Sequence, residues 1–204
     1  MKIRQILLGS AIIALLASSS TAAPVAARPA AAPPVAQGPA IPGVCILSVN
    51  QAITTSTVGR YVSDRMNQIV AQVKAELTPE DTAIATDGRA LEAQRTTLAA
   101  ATFQTRAQDL QNRVNALRQK ADLRQREVQA TEQKSLNRIA QELDPIARQL
   151  YAQHRCSLLV NKEAVMIANP EMDITTQAVA GLNARIQQFA FDREHLDTAQ
   201  AASR

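Results

Sequence analysis

Apolar residues along this chain fall into short continuous runs near its two ends and into long stripes spaced by three and four residues between them. Val44 to Val49 is a short run with β-branched members, the pattern of a buried strand. Asn50 to Gly59 follows with Thr54, Thr55, Ser56 and Thr57, side chains whose oxygens accept from the unpaired N–H groups at a helix start. Val58, Val62, Met66, Ile69, Val73 and Leu77 then recur at helical spacing and predict one apolar face of a long helix. Thr78-Pro79-Glu80-Asp81 punctuates it, with Thr78 as a cap and Pro79 at the first position of a restarted or kinked segment. Beyond that point the seam thins to Ile84, Leu91 and Leu98, seven residues apart.

A reversal is expected near Thr96–Gln104, and the clearest pattern in the chain comes after it. Phe103, Ala107, Leu110, Val114, Leu117 and Ala121 alternate spacings of four and three, a heptad seam. Arg124 breaks the phase, Val128 keeps it, and Leu136, Ile139, Leu143, Ile146 and Leu150 resume it. The step from Val128 to Leu136 is one residue longer than a heptad, a slip that changes supercoiling locally. Pro145 predicts a kink near the end of this second helix. Each helix should run for about 40–50 residues, or roughly 60–70 Å.

Cys156 then opens a second strand-like run, Cys156–Asn161, and Lys162–Ile167 reads as another short strand or turn. Asn169-Pro170 reverses the chain. Asp173-Ile174-Thr175-Thr176 offers caps for a final helix carrying Val179, Leu182, Ile186 and Phe189, and Asp192–Arg204 reads as a polar, frayed tail. No glycine occurs between Arg89 and Ala180, which argues against a β-rich or loop-rich fold. The expected fold is mainly α with a small β base: a long antiparallel coiled-coil hairpin projecting from a short-stranded oligomerisation domain. A single straight hairpin buries little surface, so the base calls for other subunits to complete a core.

The first residues change the picture by assigning a compartment. Lys2 and Arg4 precede an apolar stretch from Ile6 to Ala17, and small residues follow, the anatomy of a cleavable secretory signal. The apolar stretch is shorter than the ~20 residues that cross a bilayer. Cleavage after Ala22 avoids placing Pro24 at the scissile bond. Residues 23–43 are Pro/Ala-rich and predict an extended linker with order starting near Val44. The chain divides accordingly into a signal (1–22), a linker (23–43), a first part of the base (44–58), a helical arm (59–155), a second part of the base with the terminal helix (156–191) and a tail (192–204).

Export permits disulfides. Cys45 and Cys156 begin two similar runs, Cys45-Ile46-Leu47-Ser48-Val49-Asn50 and Cys156-Ser157-Leu158-Leu159-Val160-Asn161. Neighbouring strands would allow the two thiols to be bridged; otherwise they are two buried free thiols. Loss of Lys2 and Arg4 with the signal lowers the formal charge from +4 to +2, which weakens the case for nucleic acid. With no Trp, two Tyr and three Phe, the chain also lacks stacking platforms for single strands. His154 and His195 have no partner at metal-ligand spacing, and no nucleophile motif or phosphate-cradling loop occurs. No cofactor, metal or enzymatic reaction is expected. One charge feature stands out between Arg89 and Arg126: eight cations against Glu92, Asp109 and Asp122. Such an excess suits either a solvated face or a lure for acidic clients and anionic lipid headgroups.

The order of these features resembles the Skp (OmpH) family of periplasmic chaperones. The resemblance is carried by the signal, a strand ending in Val49-Asn50, and Ser56-x-x-Gly59 before a long helix. It continues through a Gln/Arg/Ala/Leu-rich hairpin with Pro145 near its returning end, Leu158-Leu159-Val160-Asn161, and Asp173-Ile174-Thr175 before a terminal helix. It covers about residues 44–190; the long linker, both cysteines and Pro79 depart from the family pattern. The resemblance implies a homotrimer with a β base and three arms around a cavity, holding unfolded outer-membrane proteins without ATP. Leu91, Leu98, Phe103 and Leu110, with Arg95, Arg106 and Arg113, are the candidate client contacts on the arm. Ile46, Val49, Leu158 and Val160 are the candidates for the oligomer base. The competing class is a structural or adaptor hairpin protein of a periplasmic secretion or envelope assembly, for which the sequence flanking the hairpin is short.

Overall fold

The computed structural model describes residues 38–196. The expected signal peptide and most of the linker lie outside these residues. The described chain runs β1 (Val44–Leu47), α1 (Val49–Thr55), α2 (Thr57–Ala93), α3 (Ala100–Gln153), β2 (Leu158–Asn161) and α4 (Thr175–Arg185), with single 3-10 turns at Lys162–Ala164 and Pro170–Met172. It is mainly helical, and α2 and α3 form the expected hairpin. At 1.5 Å per residue α2 is about 55 Å long and α3 about 80 Å. The reversal between them occupies only Gln94–Ala99.

The base begins earlier than composition suggested. Gly38 accepts a hydrogen bond from Asn169 Nδ2 (3.0 Å), and the Gly43 carbonyl accepts from Ser157 N (2.6 Å) and Leu158 N (3.0 Å). Gly43 adopts φ +79°, a turn that lines the chain up as β1 and that a side chain would strain. β1 and β2 then pair in parallel, Val44 with Leu158 through Leu47 with Asn161. On the other edge of β1, Ile174 N donates to Ile46 O (2.9 Å). Cys45 and Cys156 are joined by a disulfide, with Cα atoms 5.7 Å apart. The core around it draws Leu47, Ala52, Val58 and Val62 from one end of the chain and Ile139, Leu143, Ile146, Ile174, Ala178 and Leu182 from the other.

Local chemistry sets the boundaries. The first strand stops at Leu47, and Val49 is the first residue of α1, because Ser48 Oγ accepts from Gln51 N (3.0 Å) and starts a helix there. Among the candidate caps, Ser56 starts α2: its Oγ accepts from Gly59 N (3.0 Å) and donates to Ile53 O (2.7 Å). This tight α1–α2 elbow explains Ser56-x-x-Gly59, since a Cβ on Gly59 would lie 1.8 Å from the Ile53 carbonyl oxygen. Thr78-Pro79 does not restart a helix. α2 passes through Pro79 unbroken, and the Thr78 hydroxyl donates backward to Lys74 O (2.7 Å) instead of capping forward. Pro145 likewise sits inside a continuous α3.

The largest revision concerns the middle of α3. Val128 and Leu136 are only half-buried, whereas Glu127, Thr131 and Ser135 face inward and lead directly into Ile139, Leu143, Ile146 and Leu150. The helical stripe is therefore continuous but polar for three of its positions. α4 is shorter than expected. It ends at Arg185, and Ile186, with φ −148° and ψ 131°, turns the chain into an extended strap. The tail is thus not frayed at its start: residues up to Leu196 are fastened to the arm.

The disulfide links residues 111 apart. In the chain-entropy account, closing such a loop stabilises by about 4–5 kcal/mol. The double variant Cys45→Ala/Cys156→Ala should lose stability of that order, read as a lower urea midpoint with a slope that rises as the unfolded chain expands. Gly59→Ala should cost ~1–3 kcal/mol by overpacking the elbow, measured in the same way.

Candidate functional site

Two regions of the fold expose chemistry that a closed single domain would hide, and a third buries charge. The first is the base. Among the described residues, nothing pairs with the outer edge of β2, an open row of backbone donors and acceptors of the kind that recruits another chain. Large apolar side chains are exposed in the base: Leu158 on β2 (55%), Met166 (100%) and Ile167 (71%) in the segment that follows the Lys162–Ala164 turn, and Ile41 ahead of β1. Of the predicted base residues, Leu158 is exposed, Val160 half-buried and Val49 exposed on α1, while Ile46 is buried within the subunit.

The second region is the distal arm. Leu91, Leu110, Arg106 and Arg113 line one open groove of about 230 Å³ together with Asp87, Gln94 and Asp109. Leu98 and Phe103 lie at the reversal, half-buried, and the Arg95 guanidinium sits 6.0 Å from the Phe103 ring centroid. The expected cationic excess is largely compensated, because partners come from the facing helix. Arg113 reaches Asp87 (2.6 Å), Lys120 lies near Glu80 (3.5 Å), and Arg124 reaches Glu76 (2.8 Å). A charge count confined to residues 89–126 omits all three carboxylates. Arg106 donates to Gln94 Oε1 (3.0 Å), and Arg95 pairs with Glu92 (3.1 Å). The bond from Arg113 to Asp87 raises the pKa of this arginine and holds it charged.

The third region lies midway along the hairpin and was not anticipated. Glu127 is 1% exposed and is met by Arg124 (3.0 Å) and by Arg193 of the strap (3.2 Å). Arg193 and Arg124 also share Glu76 of α2, so one ionic node joins α2, α3 and the strap. The signal for it in the sequence was the interruption at Arg124; the partner, more than 60 residues later, had no local signature. The Arg124 and Arg193 bonds hold the Glu76 carboxyl at about 2. Arg185 donates to Glu142 (2.6 Å) and lowers its pKa. Asp173 is partly desolvated, yet hydrogen bonds from Lys162 and Thr175 outweigh that and lower its pKa as well. Among the described residues no group of His, Cys, Asp or Glu is arranged to hold a metal, and no helix is long and apolar enough to cross a membrane.

Comparison with known proteins places this geometry in context. The family model described as outer membrane protein (OmpH-like) matches residues 43–182. A crystal structure from Caulobacter crescentus CB15, described as an OmpH-like outer membrane chaperone, is 49% identical to this chain. The match covers 79% of this chain and 96% of that one, with a TM-score of 0.71. A search of proteins with curated function finds no match.

Glu76, Glu142 and Asp173 all bind protons more weakly in the folded chain than in the unfolded one. The stability they contribute is complete above their unfolded pKa values, about 4–4.5, and is lost as pH falls through their lowered folded values, which for Glu76 is about 2. Urea midpoints should therefore be flat from pH 7 to 5 and decline below about 4.5, and Glu76→Gln should shallow that acid limb.

Proposed function

The chain belongs to the OmpH-like outer membrane protein family, and from that premise we propose that it is an ATP-independent holdase of the periplasm. A cleavable signal delivers it there. Three copies associate through the base, formed by residues 44–58 and 156–191, and their arms, residues 59–155, enclose a cavity. Unfolded outer-membrane proteins are held in that cavity and kept from aggregating until they are passed on.

The observation that carries this reading is the pairing of an incomplete base with an unsealed arm. The open β2 edge with its exposed Leu158, and the exposed Met166 and Ile167 elsewhere in the base, give a second and third copy surfaces to complete, by strand addition and apolar burial. Along the distal arm, Leu91, Leu98, Phe103 and Leu110 are only half-covered by their own hairpin, and cations stand beside them. Many weak, spatially separated contacts of this kind retain an extended chain without a defined pocket, because each bound segment raises the effective concentration of the next. Nothing in such a mechanism requires nucleotide or a catalytic group. Anionic lipid headgroups are a weaker fit, since most of the arm cations already have carboxylate or amide partners.

Native mass spectrometry of the mature protein, alone and mixed with a urea-diluted outer-membrane β-barrel protein, tests the proposal. Three copies alone and three copies with one client are the expected species. A monomer that carries no client would leave a passive structural hairpin as the better reading.

A further inference from the structure

Residues 187–196 lie beyond the residues that match the family model, and they are bound to the arm in an unusual way. An extended chain presents alternate side chains to one face. Here Phe189, Phe191 and Arg193 turn inward, while Ala190 and Asp192 face solvent. Phe189 and Phe191 pack on the core and on each other (5.4 Å between centroids), and Phe191 meets the edge of Tyr61 (6.5 Å). Three of the five aromatic rings in the whole sequence meet at this one place.

The arm also grips the strap by its backbone. Arg65 Nε donates to Phe191 O (3.3 Å), Glu194 N donates to Thr131 Oγ1 (2.9 Å), and Leu196 N donates to Glu127 Oε1 (3.2 Å). Those three contacts use backbone groups that every residue but proline possesses, so they are otherwise blind to the identity of the strap residues. Beside the strap an open groove of about 800 Å³ continues along α3, lined by Thr131, Lys134, Asn137, Arg138, Phe189 and Phe191. Glu127 and Thr131, the polar positions in the α3 stripe, are paired within α3 by Arg124 and by the Glu127 carbonyl, and the strap amides add a further bond to each.

We propose that this face of the hairpin is a receptor for one extended segment of an unfolded client with aromatic residues at alternate positions, and that the strap is its built-in placeholder. The inference rests on the holdase reading and names a site and a segment type within it. β-strands of a membrane barrel carry apolar residues at every second position, the pattern that Phe189-Ala190-Phe191 imitates. A client segment displaces the strap, takes its backbone contacts with Arg65, Thr131 and Glu127, and seats its rings against Tyr61 and the base core. The tethered strap competes at high effective concentration. Short or isolated peptides therefore fail to open the site, whereas a long unfolded chain already held elsewhere by the arms succeeds. If the strap covers the site nine-tenths of the time, the apparent affinity for a client is reduced about tenfold.

The test is hydrogen exchange on the full mature protein, alone and with the urea-diluted β-barrel protein, combined with client titrations of two variants. Arg193→Ala removes the buried part of the ionic latch and leaves the more exposed Arg65–Asp192 (2.6 Å) and Lys134–Glu194 (2.7 Å) pairs; Phe189→Ser/Phe191→Ser releases the aromatic latch and leaves the ionic node intact, in case the first variant folds poorly. Client binding should speed exchange of the bonded strap amides, Glu194 and Leu196, by up to about tenfold while residues 127–135 of α3 stay protected, and a variant with an open strap should bind client about tenfold more tightly. Strap protection unchanged in a complex that contains client would overturn the placeholder and leave the holdase reading standing, as would an open-strap variant of unchanged affinity. Absence of any client complex in wild type would remove both.

Discussion

Pairing of β1 with β2 governs the geometry of everything between them. The two strands are four residues each and lie on either side of the helical hairpin, so a parallel register between them can form only if α2 and α3 return the chain to its starting point. The hydrogen-bond energy of so short a ladder is small, and a two-stranded sheet is marginal on its own. Its persistence comes from what surrounds it. The Cys45–Cys156 bond closes the same loop covalently, Gly43 turns the chain into register, and Ile174 holds the far edge of β1. Apolar side chains from α1, the start of α2, the end of α3 and α4 then pack on one face.

Away from the base the hairpin changes character. Val58, Val62, Ile139 and Leu143 make a dry junction, but by the middle of the arm the buried stripe has become Glu127, Thr131 and Ser135. Of these, Glu127 and Thr131 are paired within α3, Arg124 carries the link across to α2, and the strap adds further partners. Arg193 neutralises Glu127 and Glu76 together, and strap amides satisfy Thr131 and Glu127. Beyond the node the seam thins again, from the buried Ile84 to half-buried leucines with cross-helix ion pairs. The arm thus grades from a hydrophobic root through an ionic waist to a loosely packed tip, an order that suits a device anchored at one end and adaptable at the other.

The same grading gives the proposed chaperone mechanism a physical basis. The root carries both an open strand edge and exposed apolar groups, surfaces that a second copy of the chain would bury in that mechanism. At the tip they are spread thinly, so contact with an extended client is weak at each point and strong only in sum. Between the two, the strap occupies a surface whose backbone contacts do not depend on sequence.

Much of this architecture was legible in the residues. Stripes of three and four spacing, the absence of glycine from Arg89 to Ala180, and paired short runs opening with Cys45 and Cys156 specify a helical hairpin with a stranded base, because periodic burial is a local consequence of helix and strand geometry. Boundaries within that plan were less secure. Ser48 and Ser56 act as caps through hydrogen bonds to specific neighbours, and Pro79 is absorbed in α2, where helical context on both sides outweighs one lost bond. The ionic node and the strap were decided by tertiary structure alone. Arg193 meets Glu76 across more than a hundred residues, and Glu127 reads as an ordinary solvated carboxylate until α2, α3 and the strap converge on it. Such contacts have no period in sequence: they depend on where three elements meet, and that place exists only once the strands have brought the hairpin home.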